Sequence, residues 1–408
     1  MTTRTPPSPE ALRDLMVDRI RADGWALTPA VEQAMRTIPR HAFVTGHPLE
    51  NAYGEAAVIT KRAGTGAALS CASEPLIVAM MLDQLDVQPG HNILEVGAGT
   101  GYNAALLATL TGDGRNVTTV DIDPEVTAGA RKNLDATGFE AVTVITRDGT
   151  LGDVEHGPYD RLILTVGTWD IPVAWWEQLR PGARIVVPLR WRGQTRSIAF
   201  AYTDGRLESD SMQLCGFVPL VGQAGEHTHE ATDGVTLTWD TDQNINPSAI
   251  GTTLHRGEQA SIWSTVTVDG EEPFDGVWLR LTVTDPATCR IRATHEAIDA
   301  GICNPAIPAL TAALVEDTSI AYLALRRAAD DGLWELGATG HGPAATALAE
   351  RIVNQVKAWD TTRTATPHIT VQRRADAHAE TGTASGTIAK THATMTLQYP
   401  QGGHVGDR

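Results

Sequence analysis

The feature that most constrains this chain is a short apolar run that dissolves into spaced glycines. Residues 92–97 (NILEVG) read as a buried strand. Gly97-Ala98-Gly99-Thr100-Gly101 reads as a tight loop, and 101–111 as a helix. Glycines at a strand-to-helix junction let the backbone turn sharply and approach a ligand without a Cβ in the way. The alternation then repeats. Residues 116–121, 141–146, 159–166 and 183–189 read as strands, with helix at 124–137 and a helical turn or two at 172–179. Strands alternating with helices predict an α/β fold, here a doubly wound, mostly parallel Rossmann-like sheet. Upstream, 11–36 reads as helix, break, helix, and 74–87 as a further helix. Residues 45–70 are glycine-rich and irregular, a length of connection that is often functional.

Three acidic positions narrow the ligand of this sheet. Glu95 directly precedes the glycine loop, where a pyrophosphate binder has no use for a carboxylate, so it suits an ammonium group. Asp121 ends the second strand, a placement that suits two ribose hydroxyls. Asp148-Gly149 follows the third strand, where a side chain or amide meets an adenine ring. A cationic, phosphate-free nucleoside with an amino-acid tail fits all three, which is S-adenosylmethionine, leaving S-adenosylhomocysteine as product. The expected cofactor contacts are Glu95, Gly97, Gly99, Gly101, Asp121, Asp148 and Gly149.

Charge and cysteine content exclude several partners. The 408 residues carry 32 Lys+Arg against 49 Asp+Glu, a net −17. That argues against a nucleic-acid partner. Cys71, Cys215, Cys289 and Cys303 form no C-x-x-C pair, so neither a zinc framework nor a disulfide scaffold is expected. No metal site is expected: His227 and His229 beside Glu230 read better as a polar linker than as ligands. No apolar run reaches the roughly 20 residues of a membrane span, and no targeting segment is visible, so a cytoplasmic location is expected.

Texture changes near residue 222. Beyond it, 235–239, 262–268, 276–283 and 288–293 read as strands, 307–315, 319–328 and 344–358 as helices, and 369–372 as a last strand. The expected division is a methyltransferase domain at 1–222, a separate α+β accessory domain at 223–378, and at 379–408 a Thr/Ala/Gly-rich tail or late hairpin.

The first half, about 12–222, resembles the protein-L-isoaspartate O-methyltransferase family. The likeness rests on 94–102, Asp121, Arg147-Asp148-Gly149, Pro158-Tyr159-Asp160, 178–182 and Pro39-Arg40-His41-Ala42-Phe43-Val44. Where the family carries T-I-S-x-P, this chain has Cys71-Ala72-Ser73-Glu74-Pro75, which aligns Ser73 with the family's active-site serine. The resemblance implies carboxyl O-methylation by S-adenosylmethionine. The whole chain also resembles the FxLD-system subgroup, through 276–279, 341–343 and Trp359-Asp360. That likeness implies an aspartate in a ribosomally made, modified precursor peptide of lanthipeptide or graspetide type as substrate. The ester would close to a succinimide (aspartimide) and open to isoaspartate. The alternatives are isoaspartate repair on damaged proteins, a small-molecule acceptor, and a peptide-binding module with a vestigial cofactor site. The oligomeric state is left open.

A carboxylate is already ionised near neutral pH, so its methylation needs placement and a dry site rather than a strong base. Ser73 is the expected holder of the acceptor, and equally a candidate N-cap for the following helix. Lys61, Arg62, Cys71, Thr168 and Trp169 are the further expected substrate contacts. Arg190, Arg192 and Arg196 suggest a weak peptide-binding rim.

Overall fold

A computed structural model describes residues 7–329, 332–376 and 386–400. The chain divides into two compact units, 1–189 with 195–223, and 190–194 with 224–408.

In the first unit, α1 (Pro9–Ala22) and α2 (Pro29–Thr37) open with proline in the first turn, and Ser8 and Thr28 cap them through their hydroxyls. The short α3 (Leu49–Ala52) follows. Next come β1 (Val58–Arg62) and β2 (Ala68–Ala72), which pair antiparallel. The glycine-rich stretch expected to be irregular thus holds a hairpin. Then follow α4 (Pro75–Leu85), β3 (Ile93–Val96), α5 (Tyr102–Thr111), β4 (Val117–Asp121), α6 (Pro124–Ala136), β5 (Thr143–Thr146) and β6 (Tyr159–Leu164). The unit continues with α7 (Val173–Glu177), β7 (Leu179–Trp191), β8 (Gln194–Thr203) and β9 (Arg206–Leu214).

Its sheet runs β9-β8-β7-β6-β3-β4-β5, parallel from β7 through β5 and antiparallel between β8 and β9. This is the doubly wound Rossmann-like sheet expected from the alternation. All four residues of β3 are buried, because helices cover both faces. β3 lies between β4 and β6, so successive connections leave it in opposite directions. A crevice opens at the carboxyl ends of the strands at such a point. Met16, Met35, Met80, Leu106, Leu107 and Ile93 belong to the core behind it.

The second unit is built on strands β10 (Glu226–Thr232), β11 (Val235–Asp240), β12 (Ala260–Val268), β13 (Thr288–Ala293), β14 (Thr311–Glu316), β15 (Ser319–Arg327) and β16 (Trp334–His341). They form one sheet in the order β10-β11-β13-β14-β15-β16-β12, every pair antiparallel. Helices α8 (Pro247–Leu254), α9 (Gly276–Thr284), α10 (His295–Asp299) and α11 (Ala345–Asp360) accompany it. β17 (His368–Arg373), β18 (Gly386–Ala389) and β19 (Ala393–Gln398) pair antiparallel. Of the stretch expected as tail or hairpin, residues 379–385 and 401–408 lie outside the described residues.

Four expectations in this half are corrected. The predicted strand at 276–283 is helix α9, nearly all of whose apolar residues are buried; an apolar run of this length has no period to betray it. The predicted helices at 307–315 and 319–328 are strands β14 and β15, joined by a two-residue turn in which Asp317 takes φ +50°. Alanine and leucine favour helix locally, but burial on both sheet faces overrides that preference. Residues 227–230 are edge strand rather than linker, and the rings of His227 and His229 lie 5.5 and 5.6 Å from that of Trp239. No helix among the described residues is long and apolar enough to cross a membrane. Nor do they hold a group of three or more His, Cys, Asp or Glu fit for a metal.

Candidate active site

The loop after β3 is shaped by conformations that only glycine takes without strain. Gly97 sits at φ +103°, and a Cβ there would meet Thr165 Oγ1 at 2.4 Å. Gly101 at φ +86° starts α5, where a Cβ would press on the Ala130 carbonyl of α6 at 3.1 Å. The loop therefore hugs the ends of the neighbouring elements, the Gly97 amide donating to the Val120 carbonyl of β4 at 2.8 Å and the Gly101 amide to the Ala98 carbonyl at 2.9 Å.

A cavity of about 220 Å³ opens there. Gly97 and Gly99 come from the loop, Asp121 from the end of β4, and Thr165 and Val166 from beyond β6. Ile59, Ser70 and Cys71 come from the hairpin, and Ser73 from the turn before α4. Gly216, Phe217 and Val218 close it, held by the Gly167 amide donating to the Val218 carbonyl at 2.8 Å. Residues 70, 97, 121 and 217 meet only through the sheet order.

The expected cofactor residues divide in three. Gly97, Gly99 and Asp121 line the cavity. Asp121 Oδ2 accepts from the Gly99 amide at 3.4 Å and Oδ1 from the Asp123 amide at 3.1 Å, while burial raises its pKa. Glu95 is 0 % exposed and lines a recess behind the loop instead. Its Oε1 accepts from Asn103 Nδ2 at 2.8 Å, and burial pushes its pKa up to about 7. Gly101, Asp148 and Gly149 do not line the cavity. Asp148 Oδ1 caps the short turn after β5, accepting from the Thr150 amide at 2.9 Å, and Gly149 is packed against Val96. The residues present fit S-adenosylmethionine: a side-chain-free cradle, a carboxylate one strand over, and an acid behind the loop.

Glu95 carries a pH prediction. An acid raised above its unfolded value favours the folded state when protonated. That stability is fully present below about pH 4.5 and is lost as pH rises through about 7. Glu95→Gln should flatten this decline, read as denaturant midpoints at pH 5 and pH 8. An equal decline in both proteins would take Glu95 out of the account.

On the substrate side, Cys71 and Ser73 reach the cavity, and burial raises the Cys71 thiol pKa. The capping role of Ser73 is not seen: Glu74 occupies the cap position of α4, without a side-chain bond. The other expected contacts are corrected. Lys61 Nζ is held at 2.6 Å by both Asp123 and Glu125 and lines a neighbouring pocket. Arg62 donates to the Gly66 carbonyl at 2.9 Å and staples the hairpin turn. Thr168 is 0 % exposed and donates to the Asp170 carbonyl at 2.6 Å. Trp169 is 5 % exposed, its amide held by Gln223. Both belong to the packing beneath the cavity. Arg190 and Arg192 are ion-paired with Glu226 and Asp242 and Arg196 is buried, which leaves no free rim. Thr165, Val166 and 216–218 were missed. The only sequence signal for the latter was an apolar Gly-Phe-Val-Pro run after the last strand.

Comparison with known proteins identifies the frame. Residues 11–225 match the family model described as protein-L-isoaspartate(D-aspartate) O-methyltransferase. The protein-L-isoaspartate O-methyltransferase of Methanopyrus kandleri is 38 % identical over 215 residues, 52 % of this chain and 92 % of that protein. The enzyme of the same name from Hyperthermus butylicus is 36 % identical over 228 residues, 54 % and 92 % of the two chains. A solved protein-L-isoaspartate O-methyltransferase structure is 18 % identical, with a TM-score of 0.48, over 88 % of this chain and 96 % of that one. These findings overturn the expected precursor-peptide substrate. The methyltransferase half is similar to enzymes named for isoaspartate, and they favour the repair reading over the FxLD-system one. Over residues 11–225 the chain belongs to the protein-L-isoaspartate(D-aspartate) O-methyltransferase family, and it is an S-adenosylmethionine-dependent carboxyl O-methyltransferase.

Proposed function

We propose that this protein methylates the free carboxylate of isoaspartyl residues in damaged polypeptides. The observation that carries the reading is the shared cavity, which sets Ser73 against Gly97, Gly99 and Asp121. When bound, S-adenosylmethionine supplies an electrophilic methyl group there. Asp121 would hold the ribose hydroxyls and the glycine loop the chain leading to the sulfur, with Glu95 behind the loop.

The acceptor needs no general base, since a carboxylate with a pKa of about 4 is ionised at neutral pH. What the chain supplies is placement. The Ser73 hydroxyl is a neutral donor that orients a carboxylate oxygen without neutralising it. Ile59, Leu69, Ile77, Phe217 and Val218 give the cavity apolar walls. No covalent enzyme intermediate is involved.

The test is methyl transfer to an isoaspartyl peptide and to its ordinary aspartyl twin, read as a gain of about 14 Da. Transfer to the isoaspartyl peptide alone is expected. Transfer confined to the aspartyl twin, or to neither, overturns the reading. Ser73→Ala should lower kcat/KM about tenfold, the worth of one hydrogen bond to a charged group, with S-adenosylhomocysteine affinity kept within about twofold. An unchanged rate removes Ser73 from the acceptor side.

A further inference from the structure

Arg40 is 0 % exposed, on the short turn Arg40–Phe43. Its Nε donates to the Ala52 carbonyl at 2.8 Å, and its Nη2 to the Ala72 and Ser73 carbonyls at 3.2 and 2.7 Å. All three acceptors are neutral. Its Nη1 is buried without a hydrogen-bond partner. Among the described residues no carboxylate pairs with it, Glu95 of the same recess included, and the Tyr102 ring, 5.0 Å from the guanidinium carbon, is a modest compensation. An arginine keeps its proton even when buried. The site therefore holds a cation with no counter-ion, an arrangement that is costly unless an anion completes it.

Its position says where that anion sits. Arg40 lines the recess of about 30 Å³ behind the glycine loop. The recess shares Cys71, Ser73, Gly97, Gly99 and Thr165 with the main cavity. Both ligands of the proposed reaction bring a carboxylate here. One is on the amino-acid end of the cofactor, the other on the acceptor.

We infer that Arg40 is a carboxylate-reading residue of this site, its Nη1 donating to a carboxylate that arrives with a ligand. The identity of those ligands rests on the proposed function; the demand for an anion does not. The planar guanidinium does two things at once: it ties the Ala72–Ser73 backbone to Ala52 and presents its remaining amino group to the ligand. Lysine offers charge without that fork.

The test uses the full chain with Arg40→Gln and Arg40→Lys. Each is titrated with S-adenosylhomocysteine and with its analogue lacking the α-carboxylate, and KM and kcat are measured for the isoaspartyl peptide. If the cofactor supplies the carboxylate, the parent prefers S-adenosylhomocysteine by about tenfold or more. Arg40→Gln then erases the preference while holding the analogue, and Arg40→Lys keeps part of it. If the acceptor supplies it, both nucleosides bind as before and peptide KM rises about tenfold in Arg40→Gln. Equal loss of both nucleosides, as from a damaged fold, or no change in any constant overturns the inference. A parent that shows the carboxylate preference yet methylates no isoaspartyl peptide would sink the proposed function and leave Arg40's assignment standing.

Discussion

Asp121→Ala is expected to weaken S-adenosylhomocysteine binding by about 100-fold, the loss of two hydrogen bonds to a charged acceptor. Asp121 ends β4 with its carboxylate on the cavity wall, steadied by the Gly99 and Asp123 amides. Burial raises its pKa, so ionising it already costs free energy, and donors on a ligand would offset that cost. Asp121→Asn keeps one acceptor oxygen and should fall between, at about tenfold. Calorimetric titration reads all three proteins. Affinity unchanged in Asp121→Ala would mean that the nucleoside does not lie over the end of β4.

Gly97→Ala should lose both stability and cofactor affinity. A non-glycine residue at φ +103° stores about 1–3 kcal/mol of backbone strain. The added Cβ would also stand 2.4 Å from Thr165 Oγ1 and 3.2 Å from Val166 Cγ1. Thr165 Oγ1 donates to the Gly97 carbonyl at 2.6 Å, so the loop and the end of β6 must move together. We expect a melting temperature lower by several degrees and S-adenosylhomocysteine affinity reduced by roughly 30-fold or more. Adding Thr165→Ala should relieve the contact but not the dihedral, and recover only part of the loss. Full recovery would put the whole effect on the side-chain clash, and a melting curve like the parent's would contradict the strained geometry.

Much of the first unit was legible in the sequence because its signals are local. The strand–glycine–helix junction at 92–102, the acid ending β4 and the proline-led helices each state their own conformation within a few residues. The second unit hid itself for the opposite reason. β14 and β15 are rich in alanine and leucine, and α9 is apolar on nearly every side, so neither carried a usable period. What decides them is which faces are covered, a property of the assembled sheet.

The same division runs through the site. Sequence alone determined the cofactor class, because the glycine spacing, Glu95 and Asp121 are set by one β-α-β unit whose geometry is nearly invariant. It also singled out Ser73, which lines the cavity. It did not determine which cations are free. Lys61 was an expected substrate contact until Asp123 and Glu125 were seen to close on it, and so were Thr168 and Trp169 until Gln223 was seen to bind them. Arg40 looked like part of a family block rather than a buried charge lining the recess behind the glycine loop. Only the tertiary structure decided these, because pairing, burial and access depend on residues 12 to 62 positions away in the chain. The free energy of a charge depends on what surrounds it in space.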